Sequence, residues 1–358
     1  MKRTEQKASI WQIAATYIGT IVGAGFASGQ EVLQFFAYFG LWGYVALALT
    51  TVLFICFGLI ILQLGRNLRA TSHLPVIRYA GGRWLGTAVD AVITFFLFGA
   101  LTAMVAGAGA AFAEQFRLPA LAGNTLMVVA TLLTVLLGLS GVIEAISLVV
   151  PALLGAVFAV AILSLIHGPI TVTPIAAPGA IQTAVPSWPL SAVTYASYNL
   201  VIAVAVLAPL GRVAASERAL RWGAVLGGLG LGLGTLAILL VVNKNLPQAA
   251  GYQIPMVYIA GQFAYWIQIG YSLVLLAEIY TTAVGNLYGF VARLTDPEGP
   301  RFKLLTIGAA TSAFVAAQLG FTTLVRVVYP AVGYAGFLLL GALLFRALTG
   351  GLSTVGQP

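Results

Sequence analysis

Charge is what this chain has least of. Of its 358 residues, only 7% are Asp, Glu, Lys or Arg. That is too few to cover the surface of a water-soluble domain. Cysteine occurs once, as Cys56 in an apolar run, so a disulfide framework or a cysteine-built metal site is excluded. Histidine occurs twice, and His73 and His167 are expected at loop edges on opposite sides of a membrane, so they cannot share a metal. No Gly-x-x-x-x-Gly-Lys-[Ser/Thr] loop is present, so the chain does not itself hydrolyse ATP. No His-Glu-x-x-His helix is present either, and the few polar residues offer no nucleophile paired with a base. An enzyme is not expected, nor an organic cofactor. The first apolar stretch is too long for a removable signal peptide and lacks its cleavage-site pattern.

What fills the chain is hydrocarbon. It is 60% hydrophobic, with a mean hydropathy of +1.01, and reads as an all-α integral membrane protein. A membrane helix needs about 20 apolar residues. Ten such spans are predicted, at 8–38, 41–64, 84–113, 121–140, 143–166, 188–210, 219–242, 262–291, 303–319 and 324–346. The fourth and fifth are divided only by a short turn at Gly138, Ser140 and Gly141. Ten spans put both termini on one side. That side then receives fourteen of the 17 Lys and Arg, leaving Arg117, Lys244 and Arg326 on the other. Basic residues collect in cytoplasmic loops, so both termini are expected in the cytoplasm of a multi-pass plasma (inner) membrane protein. The net charge of +8 is then explained by the bilayer, with no nucleic-acid partner.

A short internal repeat divides the chain. Leu74-Pro75-Val76-Ile77-Arg78-Tyr79-Ala80-Gly81 matches Ile254-Pro255-Met256-Val257-Tyr258-Ile259-Ala260-Gly261. Both segments fall between the second and third spans of a five-span half, on opposite sides of the membrane. Inverted repeats with discontinuous first helices mark secondary transporters. The expected organisation is a first repeat at 1–166, an external connection at 167–187 with Pro169, Pro174, Pro178, Pro186 and no charge, and an inverted second repeat at 188–358.

The first span holds the most informative stretch, Gly19-Thr20-Ile21-Val22-Gly23-Ala24-Gly25-Phe26-Ala27-Ser28-Gly29-Gln30-Glu31. Glycine weakens a helix, and hydrocarbon tolerates free backbone groups only where they line a cavity. A break that binds something is one reading. Close helix packing through small residues is the other. In the sixth span, Tyr195, Ser197, Tyr198 and Asn199 stand where the mirror break belongs, in a stretch without glycine. A continuous helix with a polar stripe is the alternative there.

At this point the residues carry a resemblance. Gly19-x-x-Val22-Gly23-x-Gly25 resembles the unwound first helix of neurotransmitter:sodium symporters. The longer string from Gly23 to Glu31, with Phe35-Phe36 after it, resembles the YkvI-type bacterial membrane proteins of the amino acid–polyamine–organocation superfamily. The resemblance implies a LeuT-type fold of five plus five helices, with helices 1 and 6 broken. It also implies a sodium site built from the hydroxyls of Thr281 and Thr282 and the carbonyls of Gly19, Val22 and Glu278. Those threonines share a helix face with Glu278 and Asn286. Alternatively their hydroxyls bond back to carbonyls one turn earlier. Glu278 departs from the symporter pattern and raises proton coupling. For substrate, the resemblance implies Gly23 and the amides of Ala24, Gly25 and Phe26, faced by Tyr195, Ser197, Tyr198 and Asn199. Phe26 and Phe95-Phe96 would cover an apolar portion, although Phe95-Phe96 also fit plain packing or lipid contact.

Acids inside spans are costly and mark function. Glu31 follows Ser28 by three residues, a capping-box spacing, with a proton carrier as the alternative. Glu278 is the stronger proton-coupling candidate. Asp90 and Glu144 lie near span ends, within reach of water or a basic residue. The expected function is cation-coupled symport of a small solute, an amino acid or related carboxylate, with Na+ somewhat preferred over protons. An uncoupled uniporter, a channel-like facilitator and a sensor on a transporter scaffold remain open, as does the oligomeric state.

Overall fold

The computed structural model describes residues 7–137, 140–167, 183–246 and 248–349, with the backbone alone at 140–148 and 150. The expected connection at 167–187 therefore lies mostly outside the described residues, as do Gly138 and the side chain of Glu144.

The regular elements among these residues are helices, with one isolated bridge between Ala8 and Ala214. The first span is cut into α1 (Ile10–Ile21), α2 (Ala24–Ser28) and α3 (Gln30–Phe35). There follow α4 (Leu41–Asn67), α5 (Leu74–Phe116), α6 (Ala120–Leu137), α7 (Ser140–Ile166), α8 (Trp188–Arg212) and α9 (Glu217–Lys244). Then come α10 (Pro255–Gly261), α11 (Tyr265–Leu294), α12 (Phe302–Ala317) and α13 (Phe321–Leu348). Among the described residues, α4, α5, α6, α8, α9, α11 and α13 are long and apolar enough to cross a membrane, and Pro151–Ile166 and α12 are shorter apolar helices.

Local sequence sets the helix ends. Ser9 caps α1 reciprocally: its hydroxyl accepts from Gln12 N–H at 3.3 Å, and Gln12 Oε1 accepts from Ser9 N–H at 2.9 Å. That satisfies donors which a helix start otherwise leaves bare. Ser216 caps α9 through Ala219 N–H. Pro75 and Pro255 stand in the first turns of α5 and α10, where the missing N–H is harmless. Gly82, at φ 77°, separates residues 74–81 from the rest of α5.

The expected break in the sixth span is not there: α8 is one helix from Trp188 to Arg212. Two of the polar residues expected at the break, Ser197 and Asn199, find partners without any opening of the backbone. Ser197 Oγ donates to the Gly333 carbonyl at 2.7 Å, and Asn199 Nδ2 to the Tyr195 carbonyl at 2.9 Å. The polar stripe on a continuous helix is the reading that holds.

Helix packing rests on small residues. On α9, Gly223, Gly227, Gly230 and Gly234 form one stripe, and a Cβ on them would stand 2.5, 2.5, 2.5 and 3.1 Å from Ile13, Tyr17, Ile18 and Phe26 respectively. Such notches let helices approach closely where lipid gives no hydrophobic drive for association. Tyr17, inserted between α9 and α4, also donates its hydroxyl to the Phe54 carbonyl at 2.8 Å. The N-terminal segment is tied to the turn after α8: Ala8 N–H donates to Val213 and Ala215 N–H to Ala8, at 2.8 and 2.9 Å.

Candidate functional site

The break in the first span has a definite backbone. The last bond of α1 runs from Val22 N–H to the Ile18 carbonyl at 2.8 Å. Val22 (φ −71°, ψ 115°) and Gly23 (φ −141°, ψ −172°) are then extended. The closing carbonyls of α1, Gly19 to Val22, thus fall where a helix offers no internal donor. After five residues of α2, Gly29 takes φ 80° and ψ −7°, a left-handed turn that suits glycine. It also passes close to α10, where a Cβ would meet Met256 at 2.9 Å.

This break opens onto a cavity of about 430 Å³. Gly19 to Gly25 form one wall. Glu278, Thr281, Thr282, Gly285 and Asn286 form a second, all on one face of α11. Tyr198, Asn199, Ile202 and Val206 come from α8, and Phe96, Ala100 and Met104 from α5. Glu31 on α3 and Tyr329 on α13 close the ring.

Both acids in the cavity are buried. Thr281 Oγ1 donates to the Glu278 carbonyl at 3.1 Å, and Thr282 Oγ1 to Glu278 Oε1 at 3.3 Å. Glu278 Oε2 has no hydrogen-bond partner among the described residues. The threonines therefore do bond back, one of them to a side chain rather than a carbonyl. At Glu31, the Tyr198 hydroxyl donates to Oε2. Oε1 lies against Gly25, 1.9 Å from where a Cβ would stand there. As a donor set for a hard cation, two hydroxyls, an orphaned carboxyl oxygen and the bare carbonyls of α1 are chemically suited to Na+; hydroxyls can turn to offer lone pairs.

The structure separates the residues expected at the site. Gly19, Val22, Gly23, Ala24, Gly25, Tyr198, Asn199, Glu278, Thr281 and Thr282 line this one cavity. Tyr195 does not; its ring packs edge-on against Phe35 and Phe36 at 5.3 and 4.8 Å. Ser197 faces α13, as described. Phe26 turns into the notch at Gly234. Of the aromatic pair, Phe96 lines the cavity while Phe95 is 54% exposed.

The capping box at Ser28 and Glu31 is corrected. Gly29 ends α2 and restarts the helix at Gln30, so Ser28 closes one helix rather than opening the next. Its hydroxyl donates to the Gly25 carbonyl at 2.7 Å and accepts from Gln30 N–H at 3.1 Å. Glu31 is thereby left to face the cavity. Asp90, by contrast, meets basic residues as expected: His73 at 3.0 Å, and Arg293. Glu114, not singled out from sequence, accepts from the N–H groups of Gln253 and Ile254 at the start of α10.

Tyr329 and the apolar wall were missed. Ala100 and Met104 follow Phe96 at four-residue steps, and Ile202 and Val206 follow Tyr198 likewise. Extending each stripe along its helix would have found them.

The chain is similar to known membrane proteins over nearly all its length. It is 31% identical over 345 residues to the membrane protein YkvI of Bacillus subtilis (strain 168), covering 96% of this chain and 97% of that one. Among solved structures, it resembles MhsT in complex with L-phenylalanine, with a TM-score of 0.59 and 18% identity over 95% of this chain and 90% of that one. A Na+-coupled sialic acid symporter in a substrate-bound outward-open state gives a TM-score of 0.57 and 13% identity, covering 88% and 75%. No protein-family model matches. At these identities the solved structures establish the fold, which is LeuT-type.

Proposed function

The chain belongs to the family of the YkvI membrane protein, and on that premise we propose that it is a secondary active transporter, not an enzyme, moving a small organic solute by alternating access. One observation carries this reading. The first span is interrupted at Val22–Gly23, and the interruption faces a cavity shared with Glu278, Thr281 and Thr282. In a membrane core, freed backbone groups need a partner; a solute and its coupling ion would be that partner.

We read ten spans, adding the interrupted first helix, α7 and α12 to the seven long helices, with both termini cytoplasmic. Two inverted repeats, 1–166 and 188–358, accord with a shared local feature. Residues 74–81 and 255–261 are short helices with proline in the first turn, and each precedes a long helix.

The coupling ion is proposed to be Na+, held by the hydroxyls of Thr281 and Thr282 and the carbonyls of Gly19, Val22 and Glu278. The Glu278 carboxyl, whose Oε2 is without a partner among the described residues, is a further donor beyond the expected set. The orphaned Glu278 Oε2 favours a second reading, in which that carboxyl carries a proton. Amino-acid transport, implied by the family resemblance, is proposed at the level of a charged small solute. Reconstitution tests all three levels. Labelled solute should exchange one for one in counterflow, and accumulation should follow a sodium gradient, or a proton gradient on the second reading. Flux without counterflow would identify a pore, and binding without flux a sensor.

A further inference from the structure

The cavity contains acids and no base. Glu31 and Glu278 are its ionisable carboxyls, and none of its lining residues is Lys, Arg or His. An anionic solute would enter a site with no cationic side chain and two carboxyls already buried in it, an arrangement that low dielectric penalises heavily. A solute bringing positive charge reverses that penalty.

The position of Glu31 sharpens the point. Its Oε1 sits against Gly25, on the part of the cavity wall that α2 supplies. The place is held by a carboxyl of the protein's own. Around it, Phe96, Tyr198 and Tyr329 form one aromatic wall, with ring centroids 6.3, 5.7 and 5.1 Å apart pairwise. The Tyr198 hydroxyl fixes the carboxyl by donating to Oε2. Aromatic faces beside a carboxylate are a recognition surface for ammonium ions. Beyond the wall, Ala100, Met104, Ile202 and Val206 are apolar, suited to the uncharged body of such a molecule.

We propose that the solute is an organic ammonium without a carboxylate, its nitrogen held by Glu31 within the wall of Phe96, Tyr198 and Tyr329. Glu278 is left for the coupling cation, so each acid has one positive partner. This rests on the reading of the cavity as the transport site, and it departs from the carboxylate-bearing solute expected from sequence.

Three compounds with one body separate the possibilities: phenethylammonium, phenylalanine and phenylacetate, tested by thermal stabilisation of the purified full chain at fixed sodium. Phenethylammonium should stabilise at a concentration at least about tenfold lower than phenylalanine, and phenylacetate should not stabilise. Phenylalanine or phenylacetate acting as well as the amine overturns the proposal. So does failure of methyl-, butyl- and phenethylammonium alike. Glu31→Gln should weaken the amine about tenfold. Because a buried acid can also matter for folding, Phe96→Leu provides a second variant, expected to weaken it about threefold or more by removing one ring. Unchanged amine midpoints in folded Phe96→Leu and Glu31→Gln protein overturn it too. Amine binding without counterflow would remove the transporter reading and keep the ligand class; counterflow of phenylalanine in preference to the amine would do the reverse.

Discussion

A single missing side chain, at Gly25, gives Glu31 its place. A methyl group there would collide with Glu31 Oε1 and come within 3.2 Å of the Tyr329 hydroxyl. Gly25→Ala should therefore cost about 1–3 kcal/mol through overpacking and displace the carboxyl, read as a lowered melting temperature together with lost solute binding. On α11, Thr281→Ala and Thr282→Ala should each weaken sodium-dependent stabilisation about fivefold, the scale of one lost hydrogen-bonding group. Insensitivity of the parent protein to sodium would remove that site. Glu278→Gln should abolish the dependence of uptake on pH if its carboxyl is the proton carrier, and an unchanged profile would assign coupling elsewhere. Much of this was legible in the sequence, because Glu278, Thr281 and Thr282 obey helical spacing whatever surrounds them. The roles of Glu31 and Phe26 were not. Each depends on how Gly29 turns the chain and on which neighbour leaves a notch, and neither is local information.

At the scale of elements, prediction succeeded where a pattern spans a whole helix. The long apolar runs gave α4, α9, α11 and α13 within a few residues of their ends, and the part of α5 that follows Gly82, but not its first turns from Leu74. The glycines at 19, 23 and 25 gave the interruption of the first span. The sixth span was misread because Tyr195, Ser197 and Asn199 look like a break until their partners on other turns and helices are known. The glycine stripe of α9 went unread for a similar reason: its meaning lies in Ile13, Tyr17 and Ile18, which are two hundred residues earlier in the chain. It makes a direct prediction. Gly227→Val should wedge α9 from α1 at Tyr17, lowering thermal stability by about 1–3 kcal/mol, whereas substitution at Gly270, which has open space around its Cβ position, should change it little. Similar losses at both positions would refute close packing as the function of the stripe.

For the molecule as a whole, the distribution of basic residues predicts sidedness. Cysteines introduced near Lys7 and Arg301 should react with an impermeant thiol reagent only from the cytoplasm, and one near Arg326 only from outside; a mixed pattern would overturn the ten-span reading. Fold class was legible from composition alone, since hydrocarbon leaves a chain of this kind few alternatives. Side-chain partnerships across the bundle were not, because they arise only once helices distant in sequence lie side by side. The stripe on α9 has one more consequence. Gly223, Gly227 and Gly230 seat residues of α1, but Gly234 seats Phe26 of α2, on the other side of the interruption. A continuous helix thus acts as a splint laid along a fracture. The first two fragments of the opening span, α1 and α2, are kept in alignment by an unbroken neighbour, so a hinge at Val22 and Gly23 cannot bend freely unless Phe26 first leaves its seat.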